Sequence, residues 1–271
     1  MAKNLYLDMI KKRIRRNKNW LCCIVGGTGT GKSYAGLGLA YALDKKFSID
    51  RICFSPDEFF KIIQSPDLEK GSVILFEEAG TMANRRTWYS VTNLMISYVI
   101  QTFRYKNLIV IFTVPDFSYI DKQISGLFHA VLETKKIIKT KKLVCLKPFN
   151  ISVSRKGKWA GKLYYRYPTV TTPGGYTRIT ELQIELAPRF LRKQYEAKKK
   201  QFGDSILELA ETRILGKVPG DRKVPMSARE AEAYGLFKAG KSTEEVAKEM
   251  NINKTAVYNY RVAIKRKGYA L

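Results

Sequence analysis

The chain has 271 residues, 45% of them hydrophobic and 27% charged, which is ample material for a packed core and excludes a disordered chain. Its formal net charge of +25 favours a polyanionic partner and disfavours a basic one. The four cysteines, Cys22, Cys23, Cys53 and Cys145, lie in apolar runs without C-x-x-C spacing, which argues against a disulfide framework and a structural metal site and for reduced thiols in a cytoplasmic protein.

The charge is unevenly spread. Residues 1–18 carry seven Lys/Arg against one acid, Asp8, and read as a basic helix or arm. The basic run Lys11 to Arg16 is followed by only Trp20 to Val25 of apolar sequence, too short for a signal-peptide core, and no window reaches the length of a membrane span. No integral membrane segment is expected.

Trp20 to Val25 reads as a strand and Ser33 to Asp44 as a mostly apolar helix. Between them, Gly26, Gly27, Thr28, Gly29, Thr30, Gly31, Lys32 and Ser33 match G-x-x-x-x-G-K-[ST] at every fixed position. Glycines let the backbone curl until successive N–H groups converge on an anion, and the following helix directs its positive dipole end there. Lys32 is placed for the β/γ-phosphates of a nucleoside triphosphate and the Ser33 hydroxyl for Mg²⁺, so ATP and Mg²⁺ are the expected cofactors.

A strand at Arg51–Phe54 and a helix at Pro56–Gln64 precede the strand Ser72–Phe76, which ends in the adjacent carboxylates Glu77 and Glu78. Hydrolysis needs two acidic roles: Glu77 at the strand tip suits the Mg²⁺ shell, and Glu78 suits polarisation of the attacking water. A helix over Trp88–Arg104, a strand Leu108–Val114, a short helix near Tyr119–Leu127 and a strand His129–Glu133 complete an α/β domain over residues 19–133, in which eleven bases balance eleven acids. His129 reads as an ordinary strand residue.

The segments GGTGTGKS and VILFEE resemble the additional-strand, catalytic-glutamate P-loop ATPases, a division that includes RecA-like, HerA/FtsK-like and AAA+ motors. The resemblance implies a mostly parallel, RecA-like sheet in the order 5-1-4-3-2 and makes Thr113 the polar sensor of the γ-phosphate. Such motors work as homo-oligomeric rings completed by an arginine finger; Arg85, Arg86 and Arg104 are the candidates, with Arg86 and Arg104 foremost. Glu77-Glu78-Ala79-Gly80, Asn84-Arg85-Arg86 and Gln101 to Arg104 are similar to the zonular occludens toxin-like viral and plasmid ATPases, although Glu77 replaces the commoner aspartate.

Residues 134–180 hold twelve Lys/Arg and no acid, with Trp159, Tyr164, Tyr165 and Tyr167 interleaved. They read as a basic β-hairpin (Leu143–Ser154 with Lys162–Tyr167), then an irregular stretch through Pro173-Gly174-Gly175. This composition suits backbone tracking along nucleic acid, the alternative being a solvated face that protects a sheet edge. A polar helix, about Arg189–Ile214, completes a region 134–215, and Gly216–Asp221 reads as a linker.

Residues 222–271 carry eleven bases and five acids. Helices at Ser227–Ala239, Glu244–Met250 and Lys254–Lys267 resemble the helix-turn-helix of sigma-factor and LuxR-type domains. The last helix would enter the major groove, with Thr255 and Asn259 toward bases, Lys254, Arg261 and Lys265 toward phosphates, and Tyr258 also on the outward face. A three-helix interaction bundle is the alternative. The expectation is an ATP-hydrolysing, DNA-binding motor or remodeller of viral or plasmid origin; an ATP-switched transcription or replication regulator and an assembly ATPase for virion export remain open beside it.

Overall fold

The computed structural model describes residues 4–77, 106–120, 125–154, 161–215, 226–267 and 269. The chain divides into two compact units, Met1–Gly203 and Asp204–Leu271. The elements are α1 (Leu5–Arg15), β1 (Trp20–Val25), α2 (Lys32–Leu43), β2 (Ile52–Cys53), α3 (Pro56–Gln64), β3 (Val73–Glu77), β4 (Ile109–Val114), β5 (Ala130–Ile138), β6 (Leu143–Val153), β7 (Leu163–Arg166), β8 (Thr169–Thr172), β9 (Gly175–Arg178), β10 (Leu182–Glu185), α4 (Arg189–Leu215), α5 (Ala228–Lys238), α6 (Thr243–Glu249) and α7 (Lys254–Arg266). The boundary between the units falls within α4. The expected helix at Trp88–Arg104 lies outside the described residues, as do the linker Gly216–Asp221 and part of the Tyr119–Leu127 segment.

The expected mostly parallel RecA-like sheet in the order 5-1-4-3-2, with a basic β-hairpin extension, is corrected by the observed topology. One mixed sheet of eight strands runs β10-β6-β5-β1-β4-β3-β2, with β7 also on β6. Strands β1 to β5 pair in parallel, whereas β5–β6, β6–β7 and β6–β10 are antiparallel. The hairpin is therefore a continuation of the sheet. The misreading has a physical source: β5 does not stop at Glu133 but runs on to Ile138, and its lysines Lys135 and Lys136 are exposed on a strand whose first residues are buried. Charge on an open strand face imitates the end of a strand. The stretch expected to be irregular forms the small β8–β9 hairpin, with Pro173-Gly174 between Thr172 and Gly175.

Apolar alternation along β1 feeds two layers. Trp20, Cys22 and Ile24 join Tyr6, Ile10, Leu37, Leu39, Leu191 and Tyr195 on one face; Leu21 and Cys23 join Phe59, Ile63, Phe76, Phe112 and Phe128 on the other. Burial on both faces explains why the parallel strands read as unbroken apolar runs. Cys22, Cys23, Cys53 and Cys145 are all buried, and none is in a disulfide. Among the described residues no helix is long and apolar enough to cross a membrane.

In the second unit, Ser227 with Glu230 and Ser242 with Glu245 form capping boxes, and the Asn253 side chain caps α7. Ala233, Val246, Ala247, Val257 and Ile264 form its core. The turn between α6 and α7 is set by Asn251 at φ 52°, a left-handed conformation that asparagine tolerates better than most residues. Lys267 bonds Glu230, holding that carboxyl down at about 2 with help from the Ser227 backbone.

Glycine in a helix interior ordinarily weakens it, yet Gly38 in α2 packs where a Cβ would come 2.4 Å from the Glu185 carbonyl of β10. Gly38→Ala is thus expected to destabilise the first unit by about 1–3 kcal/mol, read as a lowered urea midpoint. A raised midpoint would show that α2 and β10 do not pack this closely.

Candidate active site

The loop between β1 and α2 takes its shape from its glycines. Gly26 has φ 152° and Gly31 φ 95°; a Cβ on Gly26 would lie 1.9 Å from Thr134 Oγ1, and one on Gly31 2.6 Å from Ile137 Cδ1. The Thr134 hydroxyl, on β5, lies 3.0 Å from the Val25 carbonyl and 2.8 Å from Thr30 Oγ1, and Thr30 donates to the Gly27 carbonyl at 2.7 Å. Lys32 Nζ donates back to the Gly26 and Gly27 carbonyls at 2.8 and 2.9 Å.

Helix α2 starts differently from its neighbours. Asn4, Ser55, Ser227, Ser242 and Asn253 each cap a helix with a side chain, whereas Gly31 at the start of α2 offers none. A helix N-terminus without a side-chain acceptor presents its first-turn N–H groups and dipole to an external anion.

Beneath the loop, Glu77 is almost completely buried at 2% exposure. Its Oε2 accepts from the Ser33 hydroxyl at 2.9 Å and the Tyr195 phenol at 2.8 Å, and its Oε1 accepts from Thr113 at 3.0 Å. Register supports this: Glu77 and Thr113 are paired across β3 and β4. Burial pushes the Glu77 carboxyl above its usual range, against the Tyr195, Ser33 and Thr113 hydroxyls and the Lys199 ammonium, all of which pull it down. The Tyr195 phenol is pushed up in turn, by burial first and then by the Glu77 charge.

Lys32, Ser33, Glu77 and Thr113 line a cleft of about 480 Å³. Thr28 and Gly29 also line it, with Glu196, Lys199 and Phe202 from α4 and with Tyr34 and Phe54. Phe54 stacks on Phe202 with centroids 5.1 Å apart. Backbone donors, ammonium groups and aromatic rings lining one cleft suit a phosphorylated ligand with an aromatic base. The Ser33 hydroxyl and Glu77 carboxylate are adjacent oxygen donors of the kind a hard divalent cation takes. Among the described residues no group of three or more His, Cys, Asp or Glu could hold a metal, so such a cation would need phosphate or water oxygens to complete its shell.

The structure brings together Gly26 to Ser33, Glu77 and Thr113. Glu78, Arg85, Arg86 and Arg104 lie outside the described residues. Tyr195, Lys199 and Phe202 were missed by sequence reasoning, which took α4 as a polar helix; the available signal was Leu191, Tyr195 and Phe202 at i, i+4 and i+11, one face of a helix. In the second unit, Lys254, Thr255, Tyr258, Asn259, Arg261 and Lys265 are all exposed on α7. Lys254 pairs with Glu244 at 2.6 Å, and Arg261 lies over the Phe237 ring at 5.4 Å.

No protein-family model matches the chain, and no curated protein matches it in sequence. Among solved structures it has a weak, partial likeness to the N-terminal domain of zonular occludens toxin from Neisseria meningitidis, with a TM-score of 0.33 and 14% identity over 56% of this chain and 95% of that one. That likeness carries nothing about ATPase subclass or activity.

Because the folded Glu77 carboxyl titrates above its unfolded value, its contribution to stability is fully present below the ordinary carboxylate range and is lost as pH rises through the raised value. Glu77→Gln stays neutral and is expected to gain stability relative to the native chain as pH rises across that window, measured as urea midpoints at each pH. Parallel pH profiles for the two proteins would refute the burial argument.

Proposed function

We propose that the first unit binds and hydrolyses a nucleoside triphosphate, ATP by the fit of the aromatic wall, and that the whole chain is a DNA-binding ATPase of the motor or remodeller type. The observation that carries this reading is the Ser33–Glu77–Thr113 cluster beneath a glycine loop whose helix has no side-chain cap. In this reading Lys32 leaves the Gly26 and Gly27 carbonyls for the β/γ-phosphates, and the loop N–H groups hold the phosphate oxygens. Ser33 and Glu77 would hold Mg²⁺, which when bound neutralises phosphate charge. Thr113 positions the Glu77 carboxylate and the γ-phosphate end of the cleft, and Glu78 orients and deprotonates water. Tyr34, Phe54 and Phe202 would exclude water around the base. Arg86 or Arg104 would come from a neighbouring copy in a ring, and the protein would work in the cytoplasm.

The DNA part of the reading is supported by the exposed bases of α7 and by the acid-free segment 134–180. ATP turnover measured with and without single- and double-stranded DNA, over a salt series, tests the whole. Lys32→Ala and Glu78→Gln are each expected to lower turnover about a hundredfold or more, with Glu78→Gln still binding ATP. Unchanged turnover in Lys32→Ala would overturn the nucleotide assignment, and turnover indifferent to DNA would remove the motor.

For α7, the double substitution Lys254→Ala with Arg261→Ala is expected to weaken DNA binding uniformly across sequences and to reduce the slope of log affinity against log salt by about 2. Fluorescence anisotropy with two unrelated duplexes measures both. An unchanged slope would place the DNA contact elsewhere.

A further inference from the structure

A second cleft, of about 420 Å³, lies at the N-terminal end of β1, whereas the phosphate loop follows its C-terminal end. Lys12 and Arg13 of α1 and its C-cap Arg16 line it, with Lys18, His129 and Asn150, and no carboxylate is among its described lining residues. Asp8, the one acid on α1, is not part of the lining.

The floor of this cleft has more donors than acceptors. The Leu21 N–H donates to His129 Nδ1 at 3.0 Å, so Nδ1 presents its lone pair and the neutral ring carries its proton on Nε2. Arg13 Nη2 lies 2.6 Å from that same Nε2. Arg13 is fixed there, because its Nε donates to the Asn19 carbonyl at 2.6 Å. A neutral imidazole has one acceptor nitrogen, so the Leu21 and Arg13 N–H groups cannot both bond the ring. The imidazole is held down at about 4, by burial first and then by the Arg13 charge. Basic residues in the last turn of α1 complement its dipole, which accounts for Lys12 and Arg13 as residue types. It does not account for two donors meeting at the bottom of a cationic cleft.

We propose that this cleft is a binding site for a phosphate-type oxyanion, whose oxygens accept from Arg13 and His129 together while Lys12, Arg16 and Lys18 neutralise its charge. Two sources share that chemistry: free phosphate and the phosphodiester backbone of nucleic acid. The second source rests on the DNA-binding reading above; the site itself does not.

The chain has one histidine, which makes the test specific. In full-length, nucleotide-free protein labelled with ¹³C-histidine, the His129 ring signals are followed during titration with inorganic phosphate and, separately, with a DNA single strand of about 12 nucleotides. The expected result is a saturable shift with the His129 pKa moving up from about 4, and binding about tenfold or more weaker in Lys12→Glu/Arg16→Glu, whose altered side chains are exposed and spare the core. Saturation by DNA at a lower phosphate-group concentration than by inorganic phosphate assigns the backbone as ligand. A response to inorganic phosphate alone upholds the site and removes the nucleic-acid source. No saturable response to either ligand, or an undiminished one in the double variant, overturns the proposal. DNA-stimulated ATP turnover is scored separately, so a histidine response without such stimulation would defeat the motor and leave this site standing, and the reverse outcome would do the opposite.

Discussion

The first unit is organised around one buried carboxylate. Glu77 ends β3 with almost no exposure, and three hydroxyls, from α2, β4 and α4, converge on its two oxygens. A buried carboxylate without such partners would be several kcal/mol out of balance, so each donor holds its own element in place. The start of α2 is fixed below the loop by Ser33, the end of β4 by Thr113, and α4 across the cleft by Tyr195. Burial still outweighs these bonds in setting the proton affinity of Glu77, which leaves the group short of positive charge.

The position of α4 depends on the antiparallel half of the sheet. β6 carries the chain away from the parallel strands, and β10 returns along it with Leu182 paired to Leu146 and Glu185 to Leu143. β10 then packs its Glu185 carbonyl against Gly38 of α2, and Leu186 bonds the Lys142 carbonyl before α4 begins at Arg189. A sheet that ended at β5 would have no means of laying Tyr195, Lys199 and Phe202 over the loop. The strands that carry the lysines of residues 134–180 thus also shape the loop cleft.

What was legible in the sequence was what is local. The glycine loop is eight consecutive residues, and β1, α2, α3 and β4 stand within one or two residues of their predicted bounds, the strands because burial on both faces makes their apolar runs continuous and α3 because Ser55 and Pro56 mark its start. Glu77 was legible because a strand tip is a special place for a carboxylate. Tyr195 was not, since it meets Glu77 across 118 residues and sits in a helix dominated by Lys and Arg, where one aromatic face is easily taken for incidental. β10 alternates buried Leu182 and Ile184 with exposed Gln183 and Glu185, but four residues are too few for periodicity to speak. His129 was read as an ordinary strand residue; only the fold brings Arg13 to it across 116 positions.

The two clefts of the first unit differ in charge and sit at opposite ends of β1. The loop cleft is electrically mixed, with Lys32 and Lys199 against Glu77 and Glu196, while the second has four cations and no acid among its described lining residues. Six residues of strand separate them by about 20 Å, roughly twice the Debye length at physiological salt. An anion at one end is therefore screened from the field of the other, and each cleft selects its ligand by its own geometry. Any coupling between them has to be mechanical, through β1, which is hydrogen-bonded along its length to β4 and over its last four residues to β5. β5 bears on both ends at once: His129, immediately before it, lines the cationic cleft, and Thr134, toward its middle, holds the glycine loop. A shift of β5 along β1 would change both sites together, which no electrostatic path between them can do.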